Sequence, residues 1–113
     1  MVVRGEVWWV DFGAPVGSEP GFRRPALVVS SDRFNRSRIS TVIVTAMTSN
    51  LRLADAPGNV EFESGVVGLT KPSVVNVSQT LVIDRGRLTD VVGRLDSVAM
   101  RQVDSGLRLV LGL

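Results

Sequence analysis

The stretch LDSVAMRQVDSGLRLVL, Leu95 to Leu111, changes the period of the chain. Leu95, Val98, Ala99, Val103, Leu107, Val110 and Leu111 recur at spacings of three and four. That is the repeat of one apolar helix face. Asp96 or Ser97 can cap the helix, and Gly106 interrupts it. Upstream the pattern is different: short runs of β formers separated by turn residues.

Val7–Phe12, VWWVDF, reads as a first strand. Successive strand side chains point to opposite faces, so Trp8, Val10 and Phe12 share one face and Trp9 the other. Trp9 is then the better candidate for a surface or interface ring, the alternative being that both tryptophans belong to the core of a small barrel. Gly13–Phe22 is a long loop with turn residues at both ends. Pro25 opens a second strand, PALVVSS. Ser31 and Asp32 introduce a single helical turn through Arg33, Phe34 and Asn35. STVIVTAM, residues 40–47, is a third strand, too continuously apolar to keep one face wet. NVEFE, residues 59–63, alternates cleanly as a fourth. SVVNVSQ (73–79) and LVID (81–84) read as two further short strands, and DVVGRL (90–95) as one more. The expectation is a mainly β fold with a C-terminal helix, built as a small SH3-like barrel. At 113 residues the chain fits one domain spanning 1–113.

Composition removes several chemistries. There is no cysteine, hence no disulfide, thiolate metal site or cysteine nucleophile. There is no histidine, the commonest general base and metal ligand. Metal ligation and a Ser-His-Asp triad are therefore not expected, and no glycine pattern has the strand-to-helix context of a nucleotide cradle. The pI near 10.4 overstates the charge, which is only +2. Residues 1–52 carry seven Arg against four acids, whereas residues 53–113 carry six basic against seven acidic groups. The excess lies mainly at Arg23, Arg24, Arg33, Arg36 and Arg38, which suggests a localised anion-binding face. The opening MVVRGE lacks the apolar core of a signal peptide, and no window is long and apolar enough to span a bilayer. A soluble cytoplasmic protein with no membrane partner is expected.

The remaining polar candidates sit at strand ends. Glu19 lies in the loop, Arg24 at the start of the second strand, and Thr48-Ser49-Asn50 at the end of the third. If these strands are antiparallel neighbours, Arg24 and Thr48 share one end of the hairpin. Arg23 and Arg24 alternate, so one of them at most should face a given cleft. An arginine fork, a hydroxyl and a carboxylate around one cleft would suit phosphodiester chemistry. On spacing alone that signal is weak, and a polar turn at Glu19, a solvated strand end at Arg24 and a strand-end cap at Thr48 are the simpler readings of the same residues.

RGEVWWVDF, GSEPGFRRPALVVS, TVIVTAMTS, SVVNVSQ, LVID, GRL and the terminal helix, in this order and spacing, resemble the MazF/PemK family of bacterial toxins from toxin–antitoxin pairs. The resemblance covers almost the whole length. It implies an SH3-like barrel of the CcdB/PemK type, a homodimer, and a metal-independent, sequence-specific endoribonuclease cleaving single-stranded RNA without a cofactor. It implies a cognate antitoxin that lays an acidic, extended tail along the RNA groove. The family's catalytic arginine, which precedes a proline, falls on Arg24, its catalytic threonine on Thr48, and its loop carboxylate on Glu19. Ser18, Arg23, Ser49, Asn50, Ser73, Asn76 and Gln79 then stand as candidate RNA-binding residues. Phe22-Arg23 departs from what many relatives carry before the catalytic arginine, so the role of Arg23 stays open. Two rivals remain. A gyrase-poisoning CcdB-like toxin depends on a tryptophan near its C-terminus, and this chain ends Leu-Gly-Leu. A non-catalytic RNA-binding SH3-like module would not need Arg24.

Overall fold

In the computed structural model, which describes residues 1–113, the β-forming runs become six strands. They are β1 (Glu6–Asp11), β2 (Arg23–Val28), β3 (Thr41–Thr48), β4 (Val60–Phe62), β5 (Ser73–Asp84) and β6 (Leu88–Arg94). A short helix, α1 (Asp32–Asn35), joins β2 to β3, and α2 (Ser97–Leu111) ends the chain. Every strand pair is antiparallel, and the sheet order is β4-β5-β3-β2-β1-β6. The expected β-rich fold with a C-terminal helix is what forms, as a curled half-barrel whose edge strands β4 and β6 share no ladder. The loop ahead of β5 packs on β6 instead. A Cβ on Gly93 would lie 2.6 Å from the Val67 carbonyl oxygen, so only glycine permits the approach.

Strand alternation sorts the core onto two faces. Val7, Leu27, Met47 and Val75 pack with Leu95, Ala99 and Val103, the residues that bring α2 onto the sheet. Val10, Ala26, Val28, Val42, Val44, Ala46 and Ile83 gather on the opposite face. Both faces of β3 are thus covered, as its unbroken apolar run required. Trp8 packs beside Val10 and Phe12, as alternation predicts. Trp9 departs from the expectation of an outward ring: it is half-buried against the cluster under α2.

Other differences have local causes. The two short strands expected over residues 73–84 form one strand, β5. Its register against β3 shifts between the Thr45–Thr80 and Met47–Val75 pairs. The extra residues, Asn76 to Gln79, form an irregularity that bends the strand without ending it. In α2, Asp96 is the cap, its carboxylate accepting from the Ala99 N–H at 2.8 Å. Val98, Val110 and Leu111 remain exposed although they fit the apolar stripe. Contact runs through Ala99, Val103 and Gly106, and the last turn is no longer covered.

Gly106 is the closest point of that contact. A Cβ there would fall onto the Gly58 carbonyl oxygen, in the turn before β4. Alanine is intrinsically better than glycine inside a helix by about 1 kcal/mol. Here overpacking costs about 1–3 kcal/mol and outweighs it. Gly106→Ala should therefore lower Tm, with a further drop for Gly106→Val, as followed by circular dichroism. An unchanged or raised Tm for Gly106→Ala would show that α2 can back away freely.

Candidate active site

The cleft forms where β2 and β3 part. Their ladder runs from Val28–Val44 to Ala26–Ala46 and stops. Pro25 follows, with no N–H to continue it. Pro25 pairs only with Trp9 of β1 on its other side. Extending the register by two residues sets Arg24 opposite Thr48, at the same end of the hairpin. The space left between the strands is a cleft of about 540 Å³. Arg24, Thr48, Ser49 and Ser73 line it, together with Arg23 and Lys71.

Both arginines reach the cleft, contrary to the expectation from alternation. The cleft opens across strand ends, where side chains from either face can turn in. Their surroundings differ. Arg23 Nη2 donates to Asp90 Oδ2 at 2.8 Å, and its guanidinium lies 4.6 Å from the centre of the Trp9 ring. Arg24 makes one protein hydrogen bond, from Nε to the Gly21 carbonyl at 3.3 Å, and no ion pair. Its two terminal nitrogens are free to bind a ligand. Thr48 Oγ1 accepts from the Asn50 N–H at 3.1 Å, which leaves its proton available to donate elsewhere.

The cleft lining has three cationic side chains, Arg23, Arg24 and Lys71, and no carboxylate. Asp90 answers Arg23 only from an exposed position. Such a lining attracts an anion with several negative oxygens. Lys71 and Thr70 escaped sequence reasoning. The available signal was that Lys71 is the only lysine in the chain and stands just before the Pro72-Ser73 start of β5.

The other candidates divide. Glu19 is exposed in the β1–β2 loop and lies outside the cleft lining. Ser18 and Gln79 meet, the Gln79 Nε2 donating to the Ser18 carbonyl at 2.9 Å, so this loop is tied to the bend of β5. Ser49 and Ser73 line the cleft. Asn50 caps the 3-10 turn Leu51–Asp55. Asn76 is only 6% exposed, its Oδ1 accepting from Asn59 Nδ2 and Ser78 Oγ. Its side chain is engaged in holding the β5 bend rather than in lining the cleft.

No helix is long and apolar enough to cross a membrane. Residues 3–111 match the family model described as PemK-like, MazF-like toxin of type II toxin-antitoxin system. The chain is 45% identical over its whole length to Endoribonuclease MazF6 of Mycobacterium tuberculosis, covering 99% of that protein. Among solved structures, MazF from Deinococcus radiodurans superposes with a TM-score of 0.82 at 25% identity, over 99% of this chain and 97% of that one. A mycobacterial endoribonuclease solved in complex with its cognate antitoxin shares the fold, with a TM-score of 0.80 at 24% identity over 100% and 97% of the two chains. Matched by that family model over residues 3–111 and 45% identical over its whole length to a curated relative, the chain belongs to the PemK-like, MazF-like toxins of type II toxin–antitoxin systems.

Proposed function

We propose that the protein is a sequence-specific, metal-independent endoribonuclease that cleaves single-stranded RNA in the cleft between β2 and β3. The observation that carries this reading is the unengaged Arg24 fork across from the Thr48 hydroxyl, in a cationic lining without a carboxylate. The 45% identity to a protein named an endoribonuclease supports the same reaction class.

In the proposed reaction the 2′-hydroxyl attacks the adjacent phosphorus, and the bond to the 5′-oxygen breaks. A cyclic 2′,3′-phosphate and a 5′-hydroxyl result, the leaving 5′-oxygen taking its proton from solvent water. Arg24 places parallel N–H donors on the non-bridging oxygens as negative charge builds there. Thr48 donates one further hydrogen bond. Arg23, Lys71, Ser49 and Ser73 hold the flanking chain. Glu19 is the candidate base, brought in by closure of its loop once RNA is bound. With no histidine or cysteine, and nowhere a cluster of three carboxylates, the donor set favours chemistry by the protein's own groups.

A homodimer is the proposed assembly, with the exposed turn Leu109–Leu111 as apolar surface to cover. The proposed inhibitor is an antitoxin whose acidic tail competes with RNA for the cationic cleft. The mycobacterial relative solved with its cognate antitoxin supports such a partner.

Sequencing the 5′-hydroxyl ends that the purified protein makes on a long transcript tests the reading. Ends clustered at one short motif in unpaired segments are expected. Ends spread without sequence preference, or 5′-phosphate ends, would contradict it.

A further inference from the structure

Phe22 is the one non-glycine residue with positive φ, at 60°. A bulky side chain is unfavourable in that region, where glycine is at no disadvantage. Two backbone hydrogen bonds hold the conformation: Phe22 N–H donates to the Gly13 carbonyl, and Phe12 N–H donates to the Phe22 carbonyl at 2.9 Å. Both would survive with glycine. The ring gains nothing from the core either. It is 67% exposed and belongs to neither apolar cluster, yet it lines the cleft with Arg23 and Arg24. Strain retained without a packing return is a mark of a functional position.

Resting on the RNA-cleaving reading of this cleft, we infer that Phe22 is a stacking platform for one unpaired base of the substrate, next to the phosphate held by Arg24. Single-stranded RNA is bound by laying splayed bases on aromatic faces. Two residues separate by at most about 7 Å, so the ring lies within reach of a base that flanks the phosphate on Arg24. The other cleft aromatic, Trp9, is already covered by the Arg23 guanidinium. Phe22 therefore offers the open aromatic face of the cleft.

The test compares wild type, Phe22→Gly and Phe22→Tyr on a short RNA made uncleavable by one deoxyribonucleotide at the mapped cut. A companion set of oligonucleotides carries an abasic residue at each position in turn. Phe22→Gly should keep Tm unchanged or higher and weaken binding of the intact oligonucleotide on the order of tenfold. Phe22→Tyr should bind as wild type does. At one position the abasic oligonucleotide should weaken wild-type binding by a similar factor, and there Phe22→Gly should add no further loss. Equal affinity of Phe22→Gly and wild type for the intact oligonucleotide would overturn the assignment. So would a loss of the same size on every abasic oligonucleotide, since that reports loop disturbance. If wild type fails to cut RNA at all, the cleavage reading falls with it, which separates the two failures.

Discussion

Arg24→Ala should slow single-turnover RNA cleavage on the order of 10²–10³-fold, by analogy with the loss of one preorganised donor to a developing oxyanion. Arg24 Nε is held by the Gly21 carbonyl while its terminal nitrogens have no protein partner. The fork is thus oriented before substrate arrives and loses no internal ion pair on binding. Arg24→Lys should recover only part of the rate, because a point ammonium cannot make two parallel hydrogen bonds. Thr48→Ala should be slow with near-normal RNA affinity. Arg23→Ala should act differently. Its guanidinium is shared between Asp90 and Trp9, so its loss should mainly weaken binding and reduce the salt slope by about one phosphate contact. All four variants can be compared on one short RNA, with folding checked by circular dichroism. A folded Arg24→Ala protein cutting at the wild-type rate would move the chemistry away from this residue.

Much of the fold was legible because period and turn chemistry agree along the chain. The three-and-four spacing after Leu95 marks α2, and the alternation of Val60 and Phe62 with Glu61 and Glu63 marks β4. What escaped was set by contacts distant in sequence. Gly106 reads as a helix interruption, but it is where α2 meets the Gly58 turn. The single strand β5 was not legible either. Its polar bend, Asn76 to Gln79, looks like a strand boundary until Asn59 is placed beside it. Asn59 donates to Asn76, and its side-chain oxygen accepts from the Val77 N–H at 2.9 Å.

Sequence reasoning reached the site only in part. Pairing Arg24 with Thr48 needed just the assumption that β2 and β3 are antiparallel neighbours, which the ladder bears out. That both Arg23 and Arg24 line the cleft could not follow from alternation, because the ladder ends at Ala26 and the strands separate. Lys71 comes from the segment before β5, whose approach to β2 has no local signal. Asn76 stood as an RNA-binding candidate only through the family resemblance, and nothing local in the sequence signals its burial. The hydrogen bonds it accepts from Asn59 and Ser78 explain its burial.

In the proposed reaction the substrate supplies its own nucleophile and the protein supplies charge and hydrogen bonds. Replacing the ribose 5′ to the cut by deoxyribose removes the 2′-oxygen and nothing else. The substitution leaves the phosphates proposed to meet Arg24, Arg23 and Lys71 untouched, so affinity should stay near that of the all-RNA oligonucleotide. Cleavage at that position should cease altogether, an effect larger than the loss of any one side chain. The same reaction should run unchanged in excess EDTA, because none of its steps needs a metal-bound water. Single-turnover cleavage of the all-RNA and single-deoxy oligonucleotides, each in excess EDTA, measures both at once. Full-rate cutting of the first and none of the second is expected; cutting of the deoxy-substituted strand, or loss of all activity in EDTA, would rule this chemistry out.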